Sequence, residues 1–172
     1  ISPSPAYAQL NQWAWMHGDN ITNQYGVYGT AGICSSTNKP GARSECASWK
    51  DGAGNFWLFG GVGYGVSGFW GALNDLWKYD PQTNKWTWIK GAQFPWANNV
   101  YGTKGIAASN NKPGARQLSC SWTDNQGNFW LFGGTGNNFY NDLWKYDINS
   151  NSWTWIHGDN TGNSKGVYGN KG

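Results

Sequence analysis

The sequence predicts an all-β fold built of two four-stranded antiparallel sheets, and three observations predict it. Of 172 residues, 26 are Gly and 14 are Trp, while only 12% are charged. That is a profile of aromatic strands joined by glycine-bearing turns. Several blocks of sequence occur twice in the same order. Within those blocks, short segments show the two-residue alternation of a strand.

The blocks define a repeat. Trp13-Ala-Trp15-Met-His-Gly, Trp86-Thr-Trp88-Ile-Lys-Gly and Trp153-Thr-Trp155-Ile-His-Gly lie 73 and then 67 positions apart. Asn38-Lys-Pro-Gly-Ala-Arg43 returns at Asn111 to Arg116. Asn55-Phe-Trp-Leu-Phe-Gly-Gly61 returns at Asn128 to Gly134, and Asn74-Asp-Leu-Trp-Lys-Tyr-Asp80 at Asn141 to Asp147. Each unit therefore holds four short strands. The first follows Arg43 or Arg116 and ends near Trp49 or Trp122. The second is Phe56 to Phe59 or Phe129 to Phe132. The third runs from Leu76 to Tyr79 or Leu143 to Tyr146. The fourth is Trp86 to Ile89 or Trp153 to Ile156. Asp51-Gly-Ala-Gly-Asn and Asp124-Asn-Gln-Gly-Asn suit hairpin turns between first and second strands, as Asp80-Pro-Gln-Thr-Asn and Asp147-Ile-Asn-Ser-Asn do between third and fourth.

Alternation places these strands. Trp57 and Phe59 share one face of the second strand, and Phe56 and Leu58 share the other. A sheet apolar on both faces is covered on both, as a blade wedged between two blades is. Trp57, Trp77, Trp130 and Trp144 are thus expected between blades. In the fourth strand Trp86 and Trp88 share a face with Thr87 opposite, the pattern of a partly exposed outer strand.

The pairs Gly60-Gly61 and Gly133-Gly134, with Tyr79 and Trp86 and then Tyr146 and Trp153, resemble the double glycine and spaced Tyr and Trp of the kelch repeat. The whole series is similar to Trp-rich bacterial secreted kelch proteins, over nearly everything from Gln12 to Gly172. The resemblance implies a kelch-type β-propeller segment: two complete four-stranded antiparallel blades plus an outer strand of a preceding blade, in a fold like the central domain of galactose oxidase. Kelch repeats run to about 50 residues, and these are longer because a long loop precedes each first strand. On this reading residues 1–11 are a tail and 12–17 the outer strand of a preceding blade. Residues 18–91 are a long loop plus the first full blade, 92–158 a long loop plus the second, and 159–172 the start of the loop to a further blade. Propellers close with roughly four to eight blades, so the expected partners include further blades of the same propeller, in a longer array. Closure by oligomerisation is the rival. Against it, the C-terminal blade already has its fourth strand, leaving the N-terminal strand no vacancy to fill.

Composition narrows the function. The net charge is +3 and the basic residues are scattered, only two of them Arg, so the basic stripe that nucleic acid requires is absent. Mean hydropathy is −0.66, and no apolar run is long enough for a membrane span. Ala6-Tyr7-Ala8 fits the small-x-small pattern of a signal-peptidase cut, which with the resemblance implies an extracellular or cell-surface location. Cys34, Cys46 and Cys120 are odd in number and form no Cys-x-x-Cys, so neither a disulfide framework nor a zinc site is expected. Cys46 and Cys120 project from opposite faces of their strands, so no bond between them is expected. No cofactor is expected either.

A residue that recurs in every unit is architectural before it is catalytic. Asp51 recurs as Asp124, Asp75 as Asp142, Asp80 as Asp147 and Asp19 as Asp159, and these are read as turn caps. Glu45 stands alone opposite Leu118, so a two-carboxylate hydrolytic pair is missing. His17 and His157 are equivalents, with Lys90 between them, and are read as exposed basic positions at the blade edge. They build no Ser-His-Asp set or metal cluster. The His, Tyr and Cys ligands of the galactose oxidase copper site find no match. The expectation is a non-catalytic module binding a protein or a glycan. The alternative is the propeller part of a carbohydrate-active or oxidase-type enzyme whose catalytic residues lie outside this segment.

The units differ most between second and third strands, where Gly61 to Asn74 spans 13 positions and Gly134 to Asn141 spans 7. Strand alternation puts this loop on the same face as the long loops before the first strands. Tyr64, Phe69 and Trp70 on the longer version offer exposed ring faces that suit a sugar or a protein groove; the alternative is that Phe69 and Trp70 fold back onto the blade. Trp96 stands on that face where the preceding loop has Asn23. Arg43 and Arg116 begin the innermost strands. They either meet acidic peptides, as arginines there do in some kelch domains, or tie their loops down through backbone carbonyls.

Overall fold

The computed structural model describes residues 13–170. It is all-β: thirteen short strands and no helix among the described residues, hence none long and apolar enough to cross a membrane. Two four-stranded antiparallel sheets dominate. The first has the order β2 (Ala47–Lys50), β3 (Phe56–Phe59), β6 (Leu76–Asp80), β7 (Lys85–Lys90). The second repeats it with β9 (Cys120–Thr123), β10 (Phe129–Phe132), β12 (Leu143–Asp147) and β13 (Ser152–His157). The registers agree too: Leu58 pairs with Trp77 as Leu131 pairs with Trp144. These are two blades, as the repeat predicts.

The tight turns have the expected chemistry. Asp51 Oδ1 accepts the backbone N–H of Ala53 and Asn55, while Oδ2 accepts the Trp57 indole at 2.8 Å. Asp124 does the same for Gln126, Asn128 and Trp130. Asp80 and Asp147 cap the other turns through Gln82 and Asn149.

The stretch before each first strand differs from expectation. The chain does not run straight from the Arg into the blade. Arg43–Ser44 (β1) pairs with β4 (Val62–Tyr64), which pairs with β5 (Trp70–Ala72), in a separate three-stranded sheet. Arg116–Gln117 (β8) likewise pairs with β11 (Thr135–Gly136). Between the two ladders Glu45 and Leu118 take φ of 59° and 58°, the left-handed conformation that redirects the chain,. The two kinks meet, Leu118 N donating to Glu45 O at 3.1 Å.

The long loops run along the outer edge of the blade they precede. Gly32 N donates to Trp88 O, and Gly105 N to Trp155 O. This cover explains a second difference. Thr87 and Thr154, opposite the tryptophans of the outer strand, are 5% and 6% exposed, so the outer strand is sheltered on both faces. The expected outer strand of a preceding blade, 12–17, is not in strand form over its described part. Trp13 is fully exposed and Trp15 67% exposed, and among the described residues no strand pairs with them.

The core lies between the blades. Trp49, Trp57 and Phe59 of the first blade pack on Phe129, Leu131, Tyr146 and Trp153 of the second. Trp49 stacks on Phe129 at 5.1 Å, Trp57 meets Phe129 edge-on at 5.3 Å, and Phe59 meets Trp153 at 5.4 Å. Trp57, Trp77 and Trp144 are buried, but Trp130 is only half-buried. Its face of the second blade has no blade against it, and its ring stacks on Trp122 instead.

Candidate functional site

A buried polar knot stands beneath the candidate face, once per blade. Arg43 grips Asp75 with two nitrogens, at 2.6 and 2.8 Å, and donates to Gly41 O and Gly60 O. The Tyr28 hydroxyl and the Trp77 indole donate to the same carboxylate at 2.6 and 2.7 Å. Arg116, Asp142, Tyr101 and Trp144 repeat the arrangement, and Arg116 adds Asn99 Oδ1 and the face of Tyr140. Burial works against the Arg43 charge, but Asp75 outweighs it and raises the Arg43 pKa above the ordinary arginine value. Burial, reinforced by Asp75, likewise pushes Tyr28 above the ordinary phenol range.

This knot corrects one reading and decides between the two offered for the arginines in favour of the loop tie. Asp75 and Asp142 are not turn caps but the acceptors that hold each long loop, through its Tyr, to its blade. Arg43 and Arg116 spend their donors inside the fold, with side chains 5% and 0% exposed, so they line no open ligand site. The signal was in the repeat: Tyr, Arg, Asp and Trp recur together, and four recurring polar or polar-tipped residues are a network.

Above the knot stands the hairpin β4–β5. Its glycines let it thread between the two long loops. Tyr64 N donates to Ala42 O and Gly26 N to Gly65 O on one side, while Val66 N donates to Gln93 O on the other. A Cβ on Gly65 would stand 2.1 Å from Gln93 O, so only glycine permits that approach. Trp96 N donates to Ala72 O at 2.8 Å. The Trp96 indole lies directly over Gly71, where a Cβ would come within 2.4 Å of it.

The aromatic candidates divide. Phe69 is 71% exposed, Trp70 58% and Trp96 45%, so Phe69 and Trp70 do not fold back onto the blade. Tyr64 is half-buried, its ring edge-on to Tyr25 at 5.6 Å, and supports the hairpin. Phe94, 53% exposed and two residues before Trp96, is a further exposed ring on the loop that closes on the hairpin and was not singled out from the sequence. A Phe-Pro-Trp run in a long loop was its only signal. Trp96 is also conformationally unusual, with φ of 65°. The same place in the other two loops holds Asn23 and Asn163, at 59° and 61°. Asn tolerates the left-handed region, whereas for a bulky residue it is an outlier.

The other marked positions lie elsewhere. Lys90 is not a free surface cation: its Nζ donates to Ser109 O and Asn151 O, bridging to the second blade, and burial lowers its pKa. Cys34, Cys46 and Cys120 are all unbonded. An open depression of about 310 Å³ lies among the tight turns, lined by Asp51, Gln126, Asn128 and Asp147. Its two carboxylates are already engaged by those turns. Trp96 lies on the Gly71 side of the hairpin, and strand alternation turns Trp70 to the other side with Tyr64,, so the exposed rings flank the hairpin and offer stacking and apolar contact.

No protein-family model matches the sequence, and no curated protein matches it. Among solved structures the chain is similar to YjhT, with a TM-score of 0.53 at 18% identity, over 72% of this chain and 40% of that one. The chain thus spans two fifths of YjhT's length, and at that identity the likeness concerns the fold. Sheet order, repeated register and this likeness define an all-β protein made of propeller blades.

Proposed function

We propose that the chain is part of a kelch-type propeller, secreted or displayed at the cell surface, that binds a protein or glycan without catalysis of its own. The binding surface is the hairpin β4–β5 with the loop that closes on it, through Phe69, Trp70, Phe94 and Trp96. One observation carries this reading: Trp96 replaces an Asn at a left-handed position, at a cost of order 1–3 kcal/mol, and does so only beside the longer hairpin. Strain kept at a ring that lies over Gly71 yet stays 45% exposed points to use,. The kelch reading is supported by the double glycines, all four at positive φ, with Gly60 closely approached by Arg116 O of the next blade.

The test compares wild type with the triple variant Phe69→Ala, Trp70→Ala, Trp96→Asn on a glycan array and against immobilised extracellular proteins. A ligand of the wild type should be lost or weakened at least tenfold. Binding retained in full by the variant would remove the aromatic face from the reading.

A further inference from the structure

We propose that the outer rim of the junction between the two blades holds an oxyanion site, in which Lys90 and Lys112 receive a free ion or the anionic group of a sugar. The site is an open depression of about 380 Å³ lined by Lys90, Gly91, Val100, Ser109, Asn110 and Lys112. The end of β7 and the long loop that follows it form this lining. It therefore lies within the two blades of this chain and does not depend on what stands beside them. One repeat earlier the equivalent positions His17, Gly18, Val27, Ser36, Thr37 and Lys39 line a similar depression, and there Asp19 joins them.

Charge separates the two depressions. In the earlier one Lys39 Nζ donates to the Asp19 carboxylate at 2.6 Å, so cation and anion cancel. In the later one Ala92 stands in place of Asp19, and Lys90 in place of His17. Two ammonium groups thus line a space whose lining holds no carboxylate, and among the described residues neither lysine is ion-paired. Lys90 is held in position: its Nζ donates to Ser109 O at 3.2 Å and to Asn151 O at 2.7 Å. That leaves one of its three hydrogens for a ligand. Burial lowers the Lys90 pKa, and no carboxylate acts against that. An anion in the depression would offset the lost hydration.

The backbone at Ala92 keeps the course it takes where an aspartate is present. Ala92 N donates to Asn74 Oδ1 at 2.9 Å, as Asp159 N donates to Asn141 Oδ1 at 3.0 Å. Only the amide nitrogen beside it changes partner. Asn141 Nδ2 donates to the Asp159 carboxylate at 2.8 Å, whereas Asn74 Nδ2 donates to Pro113 O at 3.1 Å. The exchange of Asp for Ala therefore removes a charge and leaves the frame standing. A lysine kept in that frame without its carboxylate leaves both space and charge for an anion from outside. An oxyanion accepts charge-assisted hydrogen bonds from both ammonium groups.

Backbone amide shifts of the isotope-labelled full chain test this, titrated with sodium sulfate and with sulfated glucose at an ionic strength held constant by sodium chloride. The amides of Gly91, Ala92, Ser109 and Lys112 should shift and saturate in the millimolar range with at least one probe, and unsulfated glucose should leave them unmoved. The tighter probe tells a free ion from a group carried by a sugar, and either result supports the site. Lys112→Gln should weaken binding about tenfold or more, the effect of losing one charge-assisted hydrogen bond. Ala92→Asp puts the carboxylate back beside Lys112 and should abolish binding, with wild-type near-ultraviolet circular dichroism. Amides that do not saturate, shifts that sodium chloride alone reproduces, or full binding by Ala92→Asp would overturn the proposal. If Ala92→Asp does not fold, full binding by Lys112→Gln overturns it instead. Neither substitution touches the hairpin β4–β5, so this inference and the aromatic binding reading fail separately.

Discussion

Phe56 and Phe129 stand at the same place in the repeat, yet Phe56 is 49% exposed and Phe129 is fully buried. Trp57 and Trp130 differ in the opposite sense: Trp57 is 4% exposed and Trp130 half-buried. Identical residues in identical strands thus have different surroundings, and the difference follows the neighbour. Phe56 looks away from the second blade and Trp57 toward it. A blade's sequence encodes two apolar faces, and packing decides which are used. Stability therefore belongs to the interface more than to the blade, and two comparisons between equivalent positions, followed by two smaller contrasts, can break or sharpen that statement.

The largest effect is expected at the arginine knots. Removing one partner of a buried ion pair leaves an uncompensated charge and costs about 3–5 kcal/mol. Arg116→Ala should reach that range, since its side chain is fully buried and its donors also hold Gly114 O, Gly133 O and Asn99. Arg43→Ala should cost less, because Arg43 lies at the open side and keeps slight exposure. Urea midpoints of the two variants check the order. Equal losses would mean that the inter-blade surface does not shelter Arg116.

Next come the tryptophans. Trp57→Ala removes a ring packed on Phe129 and Tyr146 and should cost about 3–5 kcal/mol. Trp130→Ala removes only a stack on Trp122 and a bond to Asp124, so its loss should fall well below that.

Much of this was legible in the sequence. The strands, their order and their turns followed from repeated blocks, because turn chemistry at Asp51, Asp80, Asp124 and Asp147 is local. The kinks at Glu45 and Leu118 were not legible, since neither residue favours the left-handed region and no glycine marks the place. Trp130 was misjudged because alternation tells which face a ring lies on, not whether anything covers it. Asp75 and Asp142 were misjudged because their partners lie 32 and 26 residues away in the chain. Of the candidate face, Phe69, Trp70 and Trp96 were legible from the length difference between the two loops. Tyr64 was assigned to the wrong role, its packing on Tyr25 being a tertiary fact.

A smaller effect is expected on acidification. Hydrogen bonds from Trp130 and Asn128 hold Asp124 down to about 2, against about 3.9 for a free Asp. Asp51 is also held below its ordinary value: burial opposes this, but the bonds from Asn55 and Trp57 prevail. A depressed carboxylate stabilises above its unfolded pKa, and that contribution is lost as pH falls through the folded one. Asp124→Asn should therefore lower Tm at neutral pH by a small amount, and the difference should vanish between about pH 4 and pH 2. A Tm gap that persists unchanged at pH 2 would show that the charge is not what the turn uses.

The smallest effect on stability, and the most telling for function, is expected on the hairpin itself. Phe69 and Trp70 are 71% and 58% exposed, and substitutions at such positions usually stay within about 0.5 kcal/mol. Phe69→Ala and Trp70→Ala should unfold at the wild-type urea midpoint. Gly71→Ala, one position further along the same strand, should behave differently. Its Cβ would enter the space the Trp96 indole occupies, at 2.4 Å, so the ring must leave the hairpin or the strand must shift. The contrast separates presenting a ring from supporting one. Midpoints that drop for Phe69→Ala as much as for Gly71→Ala would make these aromatics part of the packing, and the second blade's shorter loop, with Phe139 at 72% exposure, would then be the better place to seek a ligand.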